Sequence, residues 1–539
     1  MSIPLPQNEA VKPYAPASNE KKLVKKTLLE MRQNPQDIFS VVAGERIRGG
    51  KSEKICSPHA KNMVLAHAYG AEENTIDLAI KNACQTQKEW ARMSLLDRAA
   101  VFLKAADLLA SDWRPSINAI TMLAQSKTIH QAEIDASCEL IDFFRFNAYF
   151  AKKIAEEQPL HSPFGNWNLS EARGLEGFVF AVGPFNFTSI SINLACAPAL
   201  MGCAVLWKPA LAALPASYLG LQLLEAAGLP PGVINLVTGD ASMIGKKALA
   251  HPELAGIHFT GSTSTFNHLW QEAGKNLSHY RNYPRIVGET GGKDFVFAHP
   301  SADAQNLITA LIRGAYEYQG QKCSAASRAY IPRSLWGQIK DRLIGEINEI
   351  KMGDPENFTN FMGAVIDARA FAKIESYIEH ARSSNEAEIL AGGSTDDSEG
   401  YFVRPTLIQA KTPRYRSMVE EIFGPVLTVY VYEDKDWQQM LTECDQATSY
   451  ALTGAIFAQD RRDLRVMQDI LRYSAGNLYI NDKPTGAVVG QQPFGGSRGS
   501  GTNDKAGSVY NLTRWVSHRT IKENFMNIPN YRYSFMDEA

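Results

Sequence analysis

A cysteine in a loop of small and polar residues is the first candidate for chemistry. Cys323 lies in Gly-Gln-Lys-Cys-Ser-Ala-Ala-Ser, which spans 320–327 and follows a predicted helix over Leu307–Tyr318. A thiol flanked by lysine and serine in a loop bounded by glycine can approach a substrate and be activated as the thiolate. The segment alone supports a free surface cysteine about equally well.

Two further polar residues lie where backbone and ligand can come close. Glu289 stands in Gly-Glu-Thr-Gly-Gly, where the glycines allow close approach of the backbone. It is either a general base or a solvated turn residue. Asn186 follows a predicted strand and precedes a helix, a position that faces ligands in open α/β sheets. Its amide is suited to stabilise an oxyanion, or it caps the helix.

A lysine and a run of hydroxyl residues are suited to a nucleotide. Lys208 directly follows the predicted strand Ala204–Trp207, and from there it can reach ribose hydroxyls. The run Phe-Thr-Gly-Ser-Thr-Ser-Thr, which spans 259–265, ends a strand and opens a helix, so its amides suit a pyrophosphate. The alternatives are a solvated charge at a strand end and an ordinary helix cap.

Three well-known sequence motifs are either absent or lack the spacing or the neighbouring elements that their function requires. The run 495–499 matches the GxSxG pattern of serine hydrolases, but no strong strand precedes it, so a loop is predicted. The run 288–293 falls one residue short of a P-loop and continues with Asp294 where serine or threonine is required. No GxGxxG follows the first strand of the α/β region, so the usual dinucleotide fingerprint is missing.

Short apolar strands alternate with helices along two stretches, which is typical of parallel sheets covered by helices. The first stretch predicts strands at Gly177–Val182, Ala204–Trp207, Val233–Val237 and Gly256–Phe259, and helices at Ser191–Met201, Pro215–Ala227 and Ser242–Ala250. The second predicts strands at Phe295–Ala298, Ala329–Pro332, Val426–Tyr432 and Gly454–Phe457. Residues 1–70 are predicted to form an arm with a helix and short strands, and 73–154 to be helical.

Composition excludes several classes of protein. At 539 residues the chain needs at least two large domains. A net charge of -2 offers no basic excess for nucleic acid. The seven cysteines are dispersed, without CxxC pairs or metal-ligand spacing, so reduced thiols and no metal are expected. Cys196 and Cys203 are predicted to be buried. The apolar run Ser189–Trp207 is broken by Asn193 and Pro198, which favours a buried helix and strand over a membrane span.

Seven short motifs occur in the order of one large enzyme superfamily. They are Pro-Phe-Asn-Phe from 184, Trp-Lys-Pro from 207, Phe-Thr-Gly-Ser from 259, Glu-Thr-Gly-Gly-Lys from 289, Gly-Gln-Lys-Cys from 320, Glu-Ile-Phe-Gly-Pro from 421 and Pro-Phe-Gly-Gly-Ser from 493. Together they resemble the aldehyde dehydrogenase superfamily. Phe-Phe-Arg-Phe-Asn from 143, Tyr-Ile-Asn-Asp-Lys from 479 and Val-Gly-Gln-Gln-Pro-Phe from 489 narrow the resemblance to the subfamily that oxidises glutamate γ-semialdehyde to glutamate in proline catabolism.

The resemblance implies an NAD-dependent oxidation through a covalent adduct. Cys323 would attack the aldehyde, Asn186 and the Cys323 backbone N–H would hold the oxyanion, and Glu289 would activate the water that hydrolyses the thioester. Cofactor contacts are expected at Gly183, Pro184, Phe185, Lys208, Gly261, Ser262, Thr263, Ser264, Thr265, Glu421 and Phe423. Substrate contacts are expected at Phe187, Lys322, Ser324, Gly486, Ala487 and Phe494.

Two positions depart from the pattern of that family. A serine often stands where this chain has Ala487, so a backbone donor survives there but a hydroxyl does not. Many relatives carry an acid near Leu211 that bonds the adenosine ribose. Without it, the expectation of NAD over NADP rests on the subfamily resemblance.

The resemblance also implies a fold and an assembly. The fold is α/β, with two Rossmann-like α/β domains (cofactor and catalytic) and a small β oligomerisation flap. Residues 1–288 would form the arm and the NAD-binding domain, with 150–172 as a projecting flap segment. Residues 289–485 would form the catalytic domain, and 486–539 would return to the cofactor domain and complete the flap. A homodimer or an assembly of dimers is expected, in the cytoplasm, or in the mitochondrial matrix of a eukaryote.

Three other functions compete with this interpretation. The chain could act on another semialdehyde, such as succinic semialdehyde, but the helix around Phe143–Asn147 and the Gly486–Ala487 loop disfavour this. A catalytically retired relative would be expected to lose the nucleophile or the base, and both are present. A cysteine hydrolase without a cofactor would leave Lys208 and 261–265 without a purpose.

Overall fold

Two seven-stranded sheets form the framework of the computed structural model, which describes residues 3–537. The strands of the first, here called the N-terminal sheet, are in spatial order Arg285–Glu289, Leu254–Thr260, Phe178–Val182, Ala204–Lys208, Ile234–Leu236, Ser40–Val42 and Glu45–Ile47. The first five are mutually parallel, and the last two are antiparallel additions. Both antiparallel strands come from the N-terminal arm, which therefore completes this sheet.

The second sheet, here called the C-terminal sheet, repeats the arrangement. Its strands are in spatial order Ala387–Ala391, Thr406–Ala410, Val426–Tyr432, Ala326–Pro332, Asp294–Ala298, Thr453–Phe457 and Asn477–Ile480. All pairings are parallel except the first. The strands predicted from alternating apolar runs are thus confirmed, and the two sheets lie in the order that the sequence predicted.

Smaller sheets and many helices cover these two layers. The remaining strands are Gln36–Ile38, Ser52–Ser57 and Ala60–Tyr69 in one sheet, and the pairs Asn166–Gly174 with Val516–Asn524, Thr395–Asp396 with Phe402–Val403, and Tyr450–Ala451 with Ser497–Arg498. The α-helices are Asn19–Gln33, Glu73–Trp90, Leu95–Ala110, Arg114–Gln125, Ile129–Ala132, Leu140–Glu156, Thr188–Leu200, Leu214–Ala226, Ala241–Ala250, Thr263–Lys275, Ala304–Tyr316, Arg333–Glu349, Ala368–Ser383, Arg416–Val419, Trp437–Gln446, Arg461–Ile470 and Val509–Thr513.

Short helices of other types complete the list. A π-helix spans Glu133–Glu139, directly before Leu140–Glu156, and 3-10 turns lie at Leu211–Ala213, Glu317–Gly320, Asp434–Asp436 and Ser534–Met536. The helix predicted over this region is therefore present, but its first part is wider than an α-helix. Such π segments occur frequently at functional sites.

The apolar run Ser189–Trp207 is a buried helix followed by a central strand, as predicted. Cys196 and Cys203 are both buried within it, and Trp207 is completely buried. Among residues 3–537, no helix has both the length and the apolarity needed to cross a bilayer.

The segment predicted as a flap, 150–172, begins inside the helix Leu140–Glu156 because that helix continues to Glu156, and it ends in a projecting two-stranded ribbon. Its strand Asn166–Gly174 pairs antiparallel with Val516–Asn524 over nine residue pairs. The ribbon and the segments beside it expose large apolar side chains, including Phe164, Trp167 and Phe525. An exposed apolar ribbon of this kind marks an interaction surface.

A buried arginine ties the N-terminal arm to the helical layer. The guanidinium of Arg114 binds both the buried carboxylate of Glu133 and the carboxylate of Glu9, and it donates to the carbonyl of Ala10 at 2.9 Å. Glu133 also accepts hydrogen bonds from Tyr14 and from the backbone of Lys12. Arg114 therefore binds two carboxylates, of which Glu9 is also paired with Arg145, and it fixes the arm.

Replacing Arg114 by methionine should destabilise this region by about 3–5 kcal/mol, because Glu133 would keep a buried charge without its partner. Urea denaturation, monitored by tryptophan fluorescence, would measure the loss in the free energy of unfolding. The matched control is Arg333→Met, whose ion pair with Glu433 is mostly exposed and should matter little. Equal shifts for the two variants would contradict the importance of the buried pair.

Candidate active site

The register of the N-terminal sheet gathers several predicted residues at one edge. Val182 pairs with Lys208, Phe259 pairs with Val182, and Thr260 pairs with Glu289. All of these strands are parallel, so their carboxyl ends lie side by side. The residues predicted to bind a nucleotide and the predicted base Glu289 therefore lie at the same edge of the sheet. Glu289 is the last residue of the edge strand, one position beyond the boundary expected at 288.

The nucleophile candidate follows a strained turn. Tyr318, Gln319 and Gly320 all have left-handed backbone conformations, with φ of 50°, 55° and 64°. A Cβ on Gly320 would lie 2.3 Å from the carbonyl oxygen of Gly424, so only glycine fits there. The Gln319 amide donates to the carbonyls of Ser126 and Ala364, at 3.0 and 2.7 Å. These bonds hold the strained turn and with it the partly accessible Cys323.

Asn186 lies against this turn and does not cap a helix. Its side-chain amide donates to the carbonyl of Gln321 at 3.0 Å, two residues before Cys323. The helix predicted from Ser191 begins earlier, at Thr188. Its first amides, those of Thr188 and Ser189, are bonded by the carboxylate of Asp135 at 3.0 and 2.9 Å. A distant carboxylate therefore takes the capping role and leaves Asn186 free to face the thiol loop.

Asp135 also forms a buried ion pair with Lys127. Lys127 Nζ lies 2.5 Å from Asp135 Oδ2, and both side chains are inaccessible to solvent. The ammonium also lies 4.3 Å from the ring centre of Phe187 and 4.4 Å from that of Tyr318. This cation–π packing connects the segment of Asn186 and Phe187 to the turn that presents Cys323.

Glu289 is enclosed by the loop 494–506, whose ends pair at Phe494 and Ala506. Glu289 Oε2 accepts a hydrogen bond from the Gly496 amide at 2.9 Å. Burial raises the pKa of Glu289 well above its usual range, while the Gly496 bond acts to lower it. A carboxyl group with a raised pKa in a cleft is suited to proton transfer near neutral pH.

A cavity of about 250 Å³ opens in front of Cys323. All six predicted substrate residues line it: Phe187, Lys322, Ser324, Gly486, Ala487 and Phe494. Asn186 and Glu289 are not among its lining residues, because they approach the thiol loop from the side of the N-terminal sheet. The Ser324 hydroxyl lies 2.7 Å from that of Thr485, and the Lys322 ammonium pairs with Glu317 at 3.1 Å.

Glu139 lines the same cavity, and sequence reasoning missed it. It ends the π-helix, whose wider turn places it there. Burial raises the pKa of Glu139 to about 8, and among residues 3–537 no cation pairs with its carboxyl group. In the sequence it is one of four acids in a predicted helical stretch, with Glu133, Asp135 and Asp142, and nothing local distinguishes it from them. Four acids, Glu9, Glu139, Asp142 and Glu317, line the cavity beside Ser324, Gly486 and Ala487. Glu9 pairs with Arg114, Glu317 pairs with Lys322, and Asp142 accepts hydrogen bonds from Asn8 and the Glu9 amide.

On the side of the N-terminal sheet, the predicted cofactor residues form a continuous surface. The Gly183 amide donates to the carbonyl of Lys208 at 3.1 Å, which joins two strand ends. Ser262 caps the helix Thr263–Lys275 by accepting from the Thr265 amide at 3.2 Å. Ser264 shares a hydroxyl contact with Ser262 at 3.1 Å. The helix-cap alternative for this run is therefore correct, and it leaves the first helix amides directed outward.

Lys208 and Glu421 lie on different elements: Lys208 ends a strand of the N-terminal sheet, and Glu421 follows the helix Arg416–Val419. Lys208 is mostly buried, burial lowers its pKa, and within the described chain no carboxylate lies at ion-pair distance from its ammonium. Glu421 Oε1 accepts from the Gly292 amide at 2.9 Å. The rings of Phe185 and Phe423 meet edge to face at 5.7 Å. A buried cation without an anion, beside a helix N-terminus, fits a nucleotide pyrophosphate and its riboses.

The surroundings of Cys323 favour its neutral thiol over the thiolate. Burial raises its pKa above the ordinary range for cysteine, and the carboxylates of Asp294, Glu289 and Glu421 add to the effect. The site therefore needs a bound ligand or a base to generate the thiolate.

Comparison with known proteins identifies relatives of this chain in sequence and in structure. The profile described as "Aldehyde dehydrogenase family" matches residues 47–521. The chain is 50% identical to "Delta-1-pyrroline-5-carboxylate dehydrogenase, mitochondrial" of Dictyostelium discoideum, over 99% of this chain and 96% of that relative. It is 47% identical to the protein of the same name from Homo sapiens, over 98% and 94%. The crystal structure of the Delta-pyrroline-5-carboxylate dehydrogenase from Mycobacterium tuberculosis bound with NAD superimposes with a TM-score of 0.96 at 51% identity, covering 100% of this chain and 99% of that one.

Alkylation tests the resting state of Cys323. Its reaction rate with iodoacetamide should keep rising above pH about 9, where an ordinary thiol levels off. At pH values where Glu289 is ionised, Glu289→Gln should accelerate the reaction, since it removes a neighbouring negative charge. Peptide mass spectrometry measures each site, with the fully buried Cys444 as the unreactive internal control. A plateau near pH 8 would contradict the raised pKa.

Proposed function

Because this chain belongs to the aldehyde dehydrogenase family, we propose that Cys323, Asn186 and Glu289 catalyse its reaction, the NAD-dependent oxidation of L-glutamate γ-semialdehyde to L-glutamate. The semialdehyde is the open form of Δ1-pyrroline-5-carboxylate, so the enzyme acts in proline catabolism. One observation supports the assignment of the nucleophile and of the substrate residues: a single cavity contains the Cys323 thiol, the donors expected for a carboxylate and the acid Glu139.

The substrate carries an aldehyde, a carboxylate and an ammonium group, and the cavity has a counterpart for each. The hydroxyl of Ser324 and the backbone of Gly486 and Ala487 bind the α-carboxylate, while Phe187 and Phe494 enclose the aliphatic chain. Glu139 receives the ammonium group. Burial raises the pKa of its carboxyl group to about 8, and an incoming ammonium ion favours the ionised form.

The chain's own groups perform the covalent steps. The Cys323 thiolate attacks the aldehyde carbon, and the Asn186 amide with the Cys323 backbone N–H stabilises the oxyanion, an interaction worth about 3–4 kcal/mol per donor. Bound NAD supplies the acceptor for the hydride. Cys323 then carries the acyl group as a thioester, and Glu289 takes a proton from the water that hydrolyses it.

Residues of the N-terminal sheet hold the cofactor. The amides at the start of helix Thr263–Lys275, with Gly261 and Ser262, face the pyrophosphate, and Lys208 and Glu421 bind the riboses. Gly183, Pro184, Phe185 and Phe423 shape the opening between the two sheets. Leu211 contributes no acid to the adenosine ribose, so Lys208 is the principal charged contact there.

The apolar ribbon supplies the contact for assembly. Strands Asn166–Gly174 and Val516–Asn524 project with exposed aromatic side chains, and the antiparallel pair offers a surface for a second copy. A homodimer or an assembly of dimers follows. The compartment depends on the source: relatives from Homo sapiens and Mus musculus are named mitochondrial, so we place a eukaryotic enzyme in the matrix and any other in the cytoplasm.

The function is tested by a panel of aldehydes. Purified protein with NAD should give its highest kcat/KM with Δ1-pyrroline-5-carboxylate, above succinic semialdehyde and a plain aliphatic aldehyde, as measured by the absorbance of reduced nicotinamide. Parallel assays with NADP should be slower. Cys323→Ala should reduce the rate to background. A better rate with another aldehyde would reject the carboxylate subsite, and activity in Cys323→Ala would reject the nucleophile.

Glu139→Gln should lower kcat/KM for glutamate γ-semialdehyde by about 10- to 100-fold, the range for losing a hydrogen bond to a charged group. Glutarate semialdehyde has the same length without the ammonium group, so its kcat/KM should change less than about twofold. The control is Glu156→Gln, an exposed acid on the adjoining helix. Equal losses with both substrates would mean that Glu139 only supports the fold.

A further inference from the structure

Lys505 lies behind Glu289, outside the cavity, and the mechanism above does not use it. Its ammonium donates to three acceptors: the carbonyls of Gly476 and Gly495 at 2.8 and 2.9 Å, and Asn477 Oδ1 at 3.2 Å. An ammonium has three donors, so all of them are used. None of the three acceptors is charged. They therefore do not neutralise the positive charge of Lys505, and this charge acts on a neighbouring group.

The three bonds fix the peptide that holds the general base. Gly495 is the residue before Gly496, whose amide binds Glu289 Oε2 at 2.9 Å. The Gly495 amide also donates to Asn477 Oδ1 at 3.3 Å, so Asn477 and Lys505 hold both ends of this residue. A Cβ on Gly495 would lie 2.9 Å from Glu289 Oε1 and 3.2 Å from the Lys505 amide nitrogen. Gly495 thus lies directly against both the carboxylate of Glu289 and the backbone of Lys505.

The charges around Glu289 are unbalanced without this lysine. The groups that face its carboxylate are Asp504, which is bound to Arg514 at 3.4 Å, the thiol of Cys323, and Lys505. Asp504 and a Cys323 thiolate are negative. Among the described residues, Lys505 is therefore the cation that faces the base.

We propose that Lys505 is a positioning residue for Glu289: it anchors the Gly495–Gly496 peptide that binds the carboxylate and supplies the positive charge that favours its ionised form. The proposal rests on the role of Glu289 proposed above. Burial raises the pKa of Glu289, and Lys505 acts in the opposite direction. Without Lys505 the base would stay protonated to higher pH, and hydrolysis of the thioester would slow while its formation would not.

Pre-steady-state kinetics separates these two steps. Lys505→Met should keep a burst of about one reduced nicotinamide per active site, followed by a steady rate at least about tenfold lower at pH 7. The acid limb of the kcat–pH profile should move up by about one pH unit, as expected for the loss of a nearby opposite charge. Lys505→Arg should recover much of the rate through its charge, and Lys505→Gln less. The exposed Lys435→Met is the control and should behave as wild type.

An infrared titration reads the base directly, without turnover. The band of a protonated carboxyl group that disappears in Glu289→Gln should titrate at higher pH in Lys505→Met than in wild type. The proposal is overturned if that band and the acid limb do not move, or if burst and steady rate fall together. Absence of reduced nicotinamide from wild type with every aldehyde would instead reject the proposed function, and the infrared shift would still decide the role of Lys505.

Discussion

The buried ion pair of Lys127 and Asp135 is the contact on which the catalytic pocket depends. Asp135 closes the N-terminus of the helix that follows Asn186 and Phe187, and Lys127 packs between the rings of Phe187 and Tyr318. Removing two charges from water costs several kcal/mol per ion, and here the cost is offset by hydrogen bonds from Thr188 and Ser189 to Asp135 and by the packing of Lys127 against two aromatic rings. Because Asp135 lies in the same π-helix as Glu139, one pair joins Asn186, the turn before Cys323 and Glu139.

The residues proposed to act in catalysis and cofactor binding could be selected from the sequence because each lies in a local pattern. Cys323 and Glu289 stand beside glycines, and Asn186 and Lys208 stand at strand ends. Alternation of apolar runs likewise predicted both parallel sheets. Assigning a family to these motifs then predicted the whole fold class, which the relatives confirm. The roles given to individual cofactor and substrate residues remain predictions.

What the sequence did not predict depends on contacts between distant segments. The helix starts at Thr188 because its cap comes from Asp135, 53 residues earlier. Glu139 enters the cavity because a π-helix, invisible to a periodicity of 3.6 residues, widens the turn. Lys505 resembles any surface lysine until the loop 494–506 folds over Glu289. In each case the informative partner lies outside any local window.

The two strands of the projecting ribbon lie far apart in the sequence, so the ribosome makes them at different times. Arg519 and its partner Glu171 are 348 residues apart along the sequence. At about 5–20 residues per second, the ribosome needs roughly 20–70 s to make the later strand after the earlier one. During that interval Asn166–Gly174 is an unpaired edge carrying Trp167, a template for the wrong partner. Expression yield of this enzyme should therefore depend on translation speed and on chaperones that cover a nascent edge strand.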